Sequence, residues 1–207
     1  MQIGDLEESD VILDIFINGQ TYHSVAWPDV RQIVDEVFGE FREGSDLTTG
    51  LVSEEVIVQF TLSSGRVNRV EAPQDFDSYL QVAVNQRTRY GALKWLVSSS
   101  SALSIDASIA EHVWISDNPN PPDADPFVIS DPDLPRYHNP RSTLPISAVR
   151  AATEEFCRIG TGGRPSCIGW TPGNLSGVRL DTPDSGLSST YCEDPWCDIS
   201  EPGHQCH

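Results

Sequence analysis

The sequence predicts an α+β fold built on a largely antiparallel sheet with two main helices packed on it, and three observations carry that prediction. Six strand-like segments are separated by short turns. Amphipathic helices stand at scattered positions. The strand–helix–strand alternation of a parallel sheet is absent. With 207 residues, 38% of them hydrophobic, the chain is long enough for one domain with a proper core and polar appendages.

The first element is a hairpin in "VILDIFINGQTYHSVAW", where two strand-like runs flank Asn18-Gly19, a strong two-residue turn signal. Pro28 then opens a helix whose buried side is Val30, Ile33, Val34, Val37, Phe38 and Phe41. Residues 42–53 form a Gly/Ser/Thr loop. "EEVIVQFTL" and "RVNRVEA", joined by Ser-Ser-Gly, read as a second hairpin. "SYLQVAVNQ" and "GALKWLVSSS" read as two further strands, with Arg87 and Arg89 in the turn between them.

From about residue 98 to 144 the periodicity fails. Proline removes backbone donors and biases its predecessor away from helix, so this Pro/Asp-rich stretch reads as a long extended loop with one short strand at 127–129. A loop of that length inside a compact domain is either a functional surface or a solvated connection, and both readings stand. The second helix follows, with Ile146, Val149, Ala152, Phe156 and Ile159 on one stripe and Arg150, Glu154 and Arg158 opposite. Pro145 suits its first turn, Gly160 its left-handed C-cap, and a short strand is expected at 165–170. The domain is drawn over residues 1–178, and the acidic Gly/Pro/Ser-rich segment 179–207 reads as a disordered tail.

The charge excludes several partners. There are 31 acids against 13 bases, a formal net of −18, so the chain would repel nucleic acid and anionic membrane. A basic protein partner fits instead, beside the plainer explanation of solubility. Lysine occurs once against twelve arginines, which reads as coding bias. No apolar run reaches membrane-spanning length, and "MQIGDLEESD" has four acids and no base, unlike an export signal; a cytoplasmic protein is expected.

Catalytic and cofactor motifs are missing. The glycines at 160–163 follow a helix instead of preceding one, and no lysine comes after them, so they are not a phosphate loop. The sequence holds no G-x-S-x-G, no H-E-x-x-H and no deaminase zinc signature. His23, His112 and His138 are isolated and read as surface or half-buried residues. Cys157 and Cys167 read as packing residues. No cofactor or metal is expected; the metal candidates are Cys192, Cys197, His204 and Cys206, whose spacing is irregular for zinc.

"LPISAVRAATEEFCRIGTGGRPSCIGW", preceded by "YGALKWLVSSS" and "DPDLPRYHNPRSTLP", resembles the Imm1 family of immunity proteins from bacterial polymorphic toxin systems. The matching positions are Gly91, Trp95, Pro145, Phe156, Gly163, Arg164, Pro165 and Trp170, and the likeness is strongest over residues 50–172. It implies a binding protein, not an enzyme, whose partner is a toxin domain, of the double-stranded-DNA deaminase type in many neighbours of the family. On this view Trp170 plugs one end of the core, and Arg164 either pairs with a carboxylate at the core edge or faces the toxin. The expected toxin-binding residues are Asp117, Asp123, Asp125, Asp131 and Asp133 on the long loop, with Tyr137 as aromatic anchor. Two other functions stay open at this point: an acidic protein-binding adaptor, and an enzyme with an unrecognised carboxylate or cysteine site.

Overall fold

The computed structural model describes residues 11–24, 27–39, 54–64, 76–98, 101, 103, 105–110, 112–131 and 136–181. The hairpin is β1 (Val11–Ile17) and β2 (Gln20–Ser24), with Asn18 and Gly19 both at positive φ, as a tight primed turn requires. Helix α1 (Trp27–Val37) follows and buries Val30, Ile33, Val34 and Val37, with Phe38 just beyond it; Phe41 lies outside the described residues. Then come β3 (Glu55–Ser64), β4 (Ser78–Asn85) and β5 (Tyr90–Val97), each antiparallel to the last.

The expected second hairpin needs correction. Both edges of β3 from Val58 to Leu62 are taken, by β1 on one side and β4 on the other, so residues 66–72 are not its partner there. That arm lies outside the described residues.

The stretch expected to be loop also holds more structure than its composition suggests. A short helical turn α2 (Ala107–Ala110) precedes β6 (Val113–Asp117), which inserts between β5 and the last strand. The short strand falls two residues later than expected, as β7 (Ile129–Asp131), paired with β8 (Arg136–Tyr137) in a separate ribbon. A 3-10 turn at Pro140–Ser142 and the two-residue β9 (Leu144–Pro145) lead into α3 (Ile146–Ile159). Pro145 is the residue before the first helical turn, and Gly160 caps α3 at φ 63°. The last strand is β10 (Gly169–Gly173), not 165–170, because the Glu155 carboxylate accepts from the Ser166 and Cys167 backbone N–H groups and holds them in a turn.

Among the described residues the main sheet runs β10-β6-β5-β4-β3-β1-β2, with β9 added to β5. Side chains alternate across it. One face carries Ile15, Phe60, Leu80 and Trp95 in neighbouring strands, and α1 and α3 pack on it. Helix α3 reaches the sheet closely at Gly91, where an added Cβ would meet the Ala83 carbonyl oxygen at 2.6 Å and Val149 Cγ2 at 3.2 Å. Ile146, Val149, Ala152 and Phe156 are buried as expected; Ile159, at the helix terminus, is uncovered and exposed. Arg150 bridges Asp35 of α1 and Glu154 of α3, which locks the two helices together. No helix among the described residues is long and apolar enough to cross a membrane.

The chain also continues past the expected boundary at 178. Arg179 is buried, and its guanidinium meets Asp181 through Nε (2.8 Å) and Nη2 (2.7 Å), Asp117 through Nη2 (2.6 Å) and the Arg141 carbonyl through Nη1 (2.9 Å). These bonds hold the Asp181 carboxyl down at about 2. The rest of the segment 182–207, with its Cys/His candidates, lies outside the described residues.

Candidate functional site

Among the described residues, helices α1 and α3 pack on one face of the sheet, and the chain between β6 and α3 packs on part of the other. The strand register lines up Phe16, Gln59, Gln81, Lys94 and Ile115 in one transverse row on this second face. Tyr79 and Leu96 pair in the next row. The loop after β6 covers the β4–β5 part of the face. It can approach because the strands carry Ala83 and Ala92 there, and Val128 packs directly on that pair. Asn85 Nδ2 donates to the Pro126 and Phe127 carbonyls, and Thr88 Oγ1 to Pro126, which fixes the loop to the β4–β5 turn. The long loop is therefore a packed cover and not a solvated connection.

Lys94, the one lysine of the sequence, is the pin beneath this cover. Its side chain is buried in the middle of β5, and Nζ donates to the Ser130 carbonyl at 3.0 Å and the Leu175 carbonyl at 2.8 Å. Burial lowers its ammonium to about 8, an effect opposed by the charge of Asp131. His138 lies fully buried nearby, not at the surface; burial and then the Lys94 charge push its imidazole down to about 3. Beside the cover a pocket of about 290 Å³ opens, with Tyr79, Gln81, Lys94 and Leu96 as floor and Asp131 and Leu175 as walls.

The expected partner-facing residues fall in different settings. Asp123 and Asp125 are exposed, and Asp125 Oδ1 accepts from the Phe127 N–H at 2.8 Å. That turn holds Phe127 at φ 50°, a conformation a bulky side chain seldom adopts, and leaves its ring 54% exposed. Tyr137, 45% exposed, meets it edge-to-face with ring centroids 5.5 Å apart. Asp131 is half-buried at the pocket wall, and Asp117 is drawn back toward Arg179. Asp133 lies outside the described residues. Phe127, Gln81 and Lys94 were missed from sequence; a lone lysine within the otherwise apolar "YGALKWLV" was the available signal for the last.

The family model described as Immunity protein Imm1 matches residues 26–172. The chain belongs to the Imm1 family. No curated protein and no solved structure matches it. As an immunity protein it has a toxin as partner.

In this Imm1 protein the motif positions mostly build scaffold. Trp95 is fully buried and its Nε1 donates to the Gly162 carbonyl at 3.1 Å. Gly162 is the constrained glycine of the turn, at φ 71° and with Ser78 Oγ 2.5 Å from where a Cβ would sit, whereas Gly163 meets only Thr161. Pro165 is buried, and its carbonyl accepts from Trp170 Nε1 at 2.7 Å. Trp170 itself is half-buried, packed against the core margin instead of plugging it. Arg164 stacks over the Trp114 ring at 4.0 Å, with no carboxylate partner among the described residues. Burial pushes the Cys157 thiol above its usual range; the exposed Cys167 thiol is raised to about 11, by what burial it has and by Glu155. Among the described residues no group of three His, Cys, Asp or Glu side chains is placed to hold a metal.

Proposed function

We propose that this Imm1 protein neutralises a nucleic-acid-acting toxin, a deaminase of the double-stranded-DNA type, by laying the loop-covered second face of its sheet over the toxin's basic substrate groove. It acts as a binder and not as a catalyst, in the cell that makes it. The observation that carries the reading is the Phe127–Tyr137 pair. Two large aromatic rings stand exposed on a packed loop, one in a strained backbone conformation, and the exposed Asp123 and Asp125 shortly precede Phe127 in the chain. Exposed aromatics on a rigid support are what interface anchors look like, and strain at an exposed residue points to function. The net charge of −18 supplies the complement to a groove built for phosphates.

The test is association kinetics with the catalytically inactivated toxin domain at two salt concentrations. Replacing Asp123 and Asp125 by Asn should slow association, and that difference should shrink at high salt, because exposed charges steer encounter through fields that ions screen. Tyr137→Ala should leave association alone and speed dissociation by roughly 30-fold, the effect of losing an anchor worth about 2 kcal/mol. Unchanged kinetics for both variants would place the interface elsewhere.

A further inference from the structure

Two tryptophan side chains clamp the backbone on either side of Arg164. Trp95 Nε1 donates to the Gly162 carbonyl at 3.1 Å, and Trp170 Nε1 to the Pro165 carbonyl at 2.7 Å. A third, Trp114, lies under the guanidinium at 4.0 Å and is itself held by the 2.8 Å bond from its Nε1 to the Ile109 carbonyl. Yet the guanidinium so positioned makes no hydrogen bond among the described residues. Nη1 is buried without an acceptor, and Nε and Nη2 reach solvent. Its partial burial lowers its pKa, and no carboxylate among the described residues raises it again. Arg150, Arg158 and Arg179 differ, each set against a carboxylate of this acid-rich chain. Donors held rigidly at the surface, with nothing to bond inside the fold, are preorganised for a partner.

We propose that Arg164 receives the carboxylate of an aspartate or glutamate side chain on the toxin, the partner that family membership supplies. Nε and Nη2 form the side-on edge of the guanidinium, and Arg179 uses this same edge on Asp181, at 2.8 and 2.7 Å. The indole supports one face of the fork and leaves that edge open, and the clamped turn has little motion to lose on binding. Charge selects the source of the carboxylate. A free small anion is held off by the net charge of −18, whereas a carboxylate on a toxin already docked arrives at high local concentration. Trp114 pairs with Trp95 across β5 and β6 and so lies on the helix-bearing face. The contact is therefore separate from the Phe127–Tyr137 pair, and it does not depend on the toxin's being a deaminase.

The test is binding of the catalytically inactivated toxin domain to Arg164→Gln, Arg164→Lys and Tyr137→Ala. Arg164→Gln should weaken binding about 10- to 100-fold, the usual worth of a hydrogen bond to a charged group. Arg164→Lys keeps the charge and loses the fork, so it should recover only part of this. Both should melt within about 4 °C of the parent, because the stack on Trp114 is all that the fold loses. In double-mutant cycles against the toxin's acidic residues, each changed to its amide, the Arg164→Gln effect should vanish against one carboxylate. If Arg164→Gln binds like the parent, this proposal fails, and the second-face reading stands so long as Tyr137→Ala still speeds dissociation. If only the Arg164 variants weaken binding, the contact holds and the second-face reading fails. Coupling to no toxin carboxylate, or weak binding that merely tracks a lower melting temperature in both Arg164 variants, overturns the proposal.

Discussion

Cutting the chain after Val178 and after Asp181 separates two accounts of where the domain ends. Sequence composition draws the boundary at 178, so both cuts should be neutral. The structure says otherwise for the shorter chain. It loses Arg179, whose guanidinium ties β6 through Asp117, the 140–142 turn through the Arg141 carbonyl and the C-terminal segment through Asp181. It also loses the Leu180 N–H bond to the Pro172 carbonyl, 3.0 Å long, which closes the edge beside β10. Removing one partner of a buried ion pair costs about 3–5 kcal/mol. Asp181 leaves with the arginine, and the Asp117 side chain, one-third exposed, can rehydrate, which favours the lower end; the lost backbone bond adds about 1 kcal/mol. The expected total is about 4 kcal/mol, and at this size that lowers the melting temperature by about 8–16 °C. Urea unfolding and calorimetry on both truncations and the full chain measure it. The chain ending at Asp181 should match the full chain. If the chain ending at Val178 melts within about 2 °C of the parent, the buried guanidinium holds nothing that matters and the reasoning is wrong.

Two further outcomes turn on how deeply individual rings are buried. Trp95→Ala should cost about 3–5 kcal/mol and Trp170→Ala roughly half of that, because only the first ring is fully buried; equal costs in chemical denaturation would refute the ranking. His138 is held at about 3 in the folded protein against about 6.5 unfolded, so below pH 6.5 the unfolded chain takes up a proton that the folded one refuses. Stability should therefore fall as pH drops through 6.5 toward 3. His138→Gln should escape about 2 kcal/mol of the loss between pH 7 and 5, and parallel pH curves for parent and variant would contradict this.

Local signals carried much of the architecture. The Asn18-Gly19 turn, the stripe of α3 up to Phe156 and its Gly160 cap are set by residues adjacent in sequence, and the folded chain uses them as read. Strand β6 was hidden for the opposite reason. "VWISD" is five residues flanked by serine- and proline-rich segments, and it becomes a strand by pairing with β5 and with β10, about 50 residues further along. The pocket was hidden too, because nothing in "SYLQVAVNQ" or "GALKWLVSSS" says that Gln81 and Lys94 stand opposite each other. That follows only from the β4–β5 register. Of the aspartates expected on a loop, Asp117 and Asp131 end strands β6 and β7, and composition could not tell an outward charge from one drawn in by an arginine.

That distinction changes what the acidity means for binding. Asp117 and Asp181 hold Arg179, Asp35 holds Arg150, and Asp131 acts on Lys94, so several acids of this chain work inside the fold. Pairing with an arginine or lysine cancels part of the field of these acids at a distance, whereas Asp123 and Asp125 stand exposed, Asp125 in the turn that carries Phe127. A surplus of charge then steers a basic partner from afar, over about a Debye length, but does not by itself fix where it lands. Landing requires shape and desolvated contact, and on the proposed interface those come from the exposed Phe127 and Tyr137 rings. If the proposed interface holds, rate and residence should thus be governed by different residues: the exposed aspartates would set how fast the toxin arrives, and Tyr137 and Phe127 how long it stays.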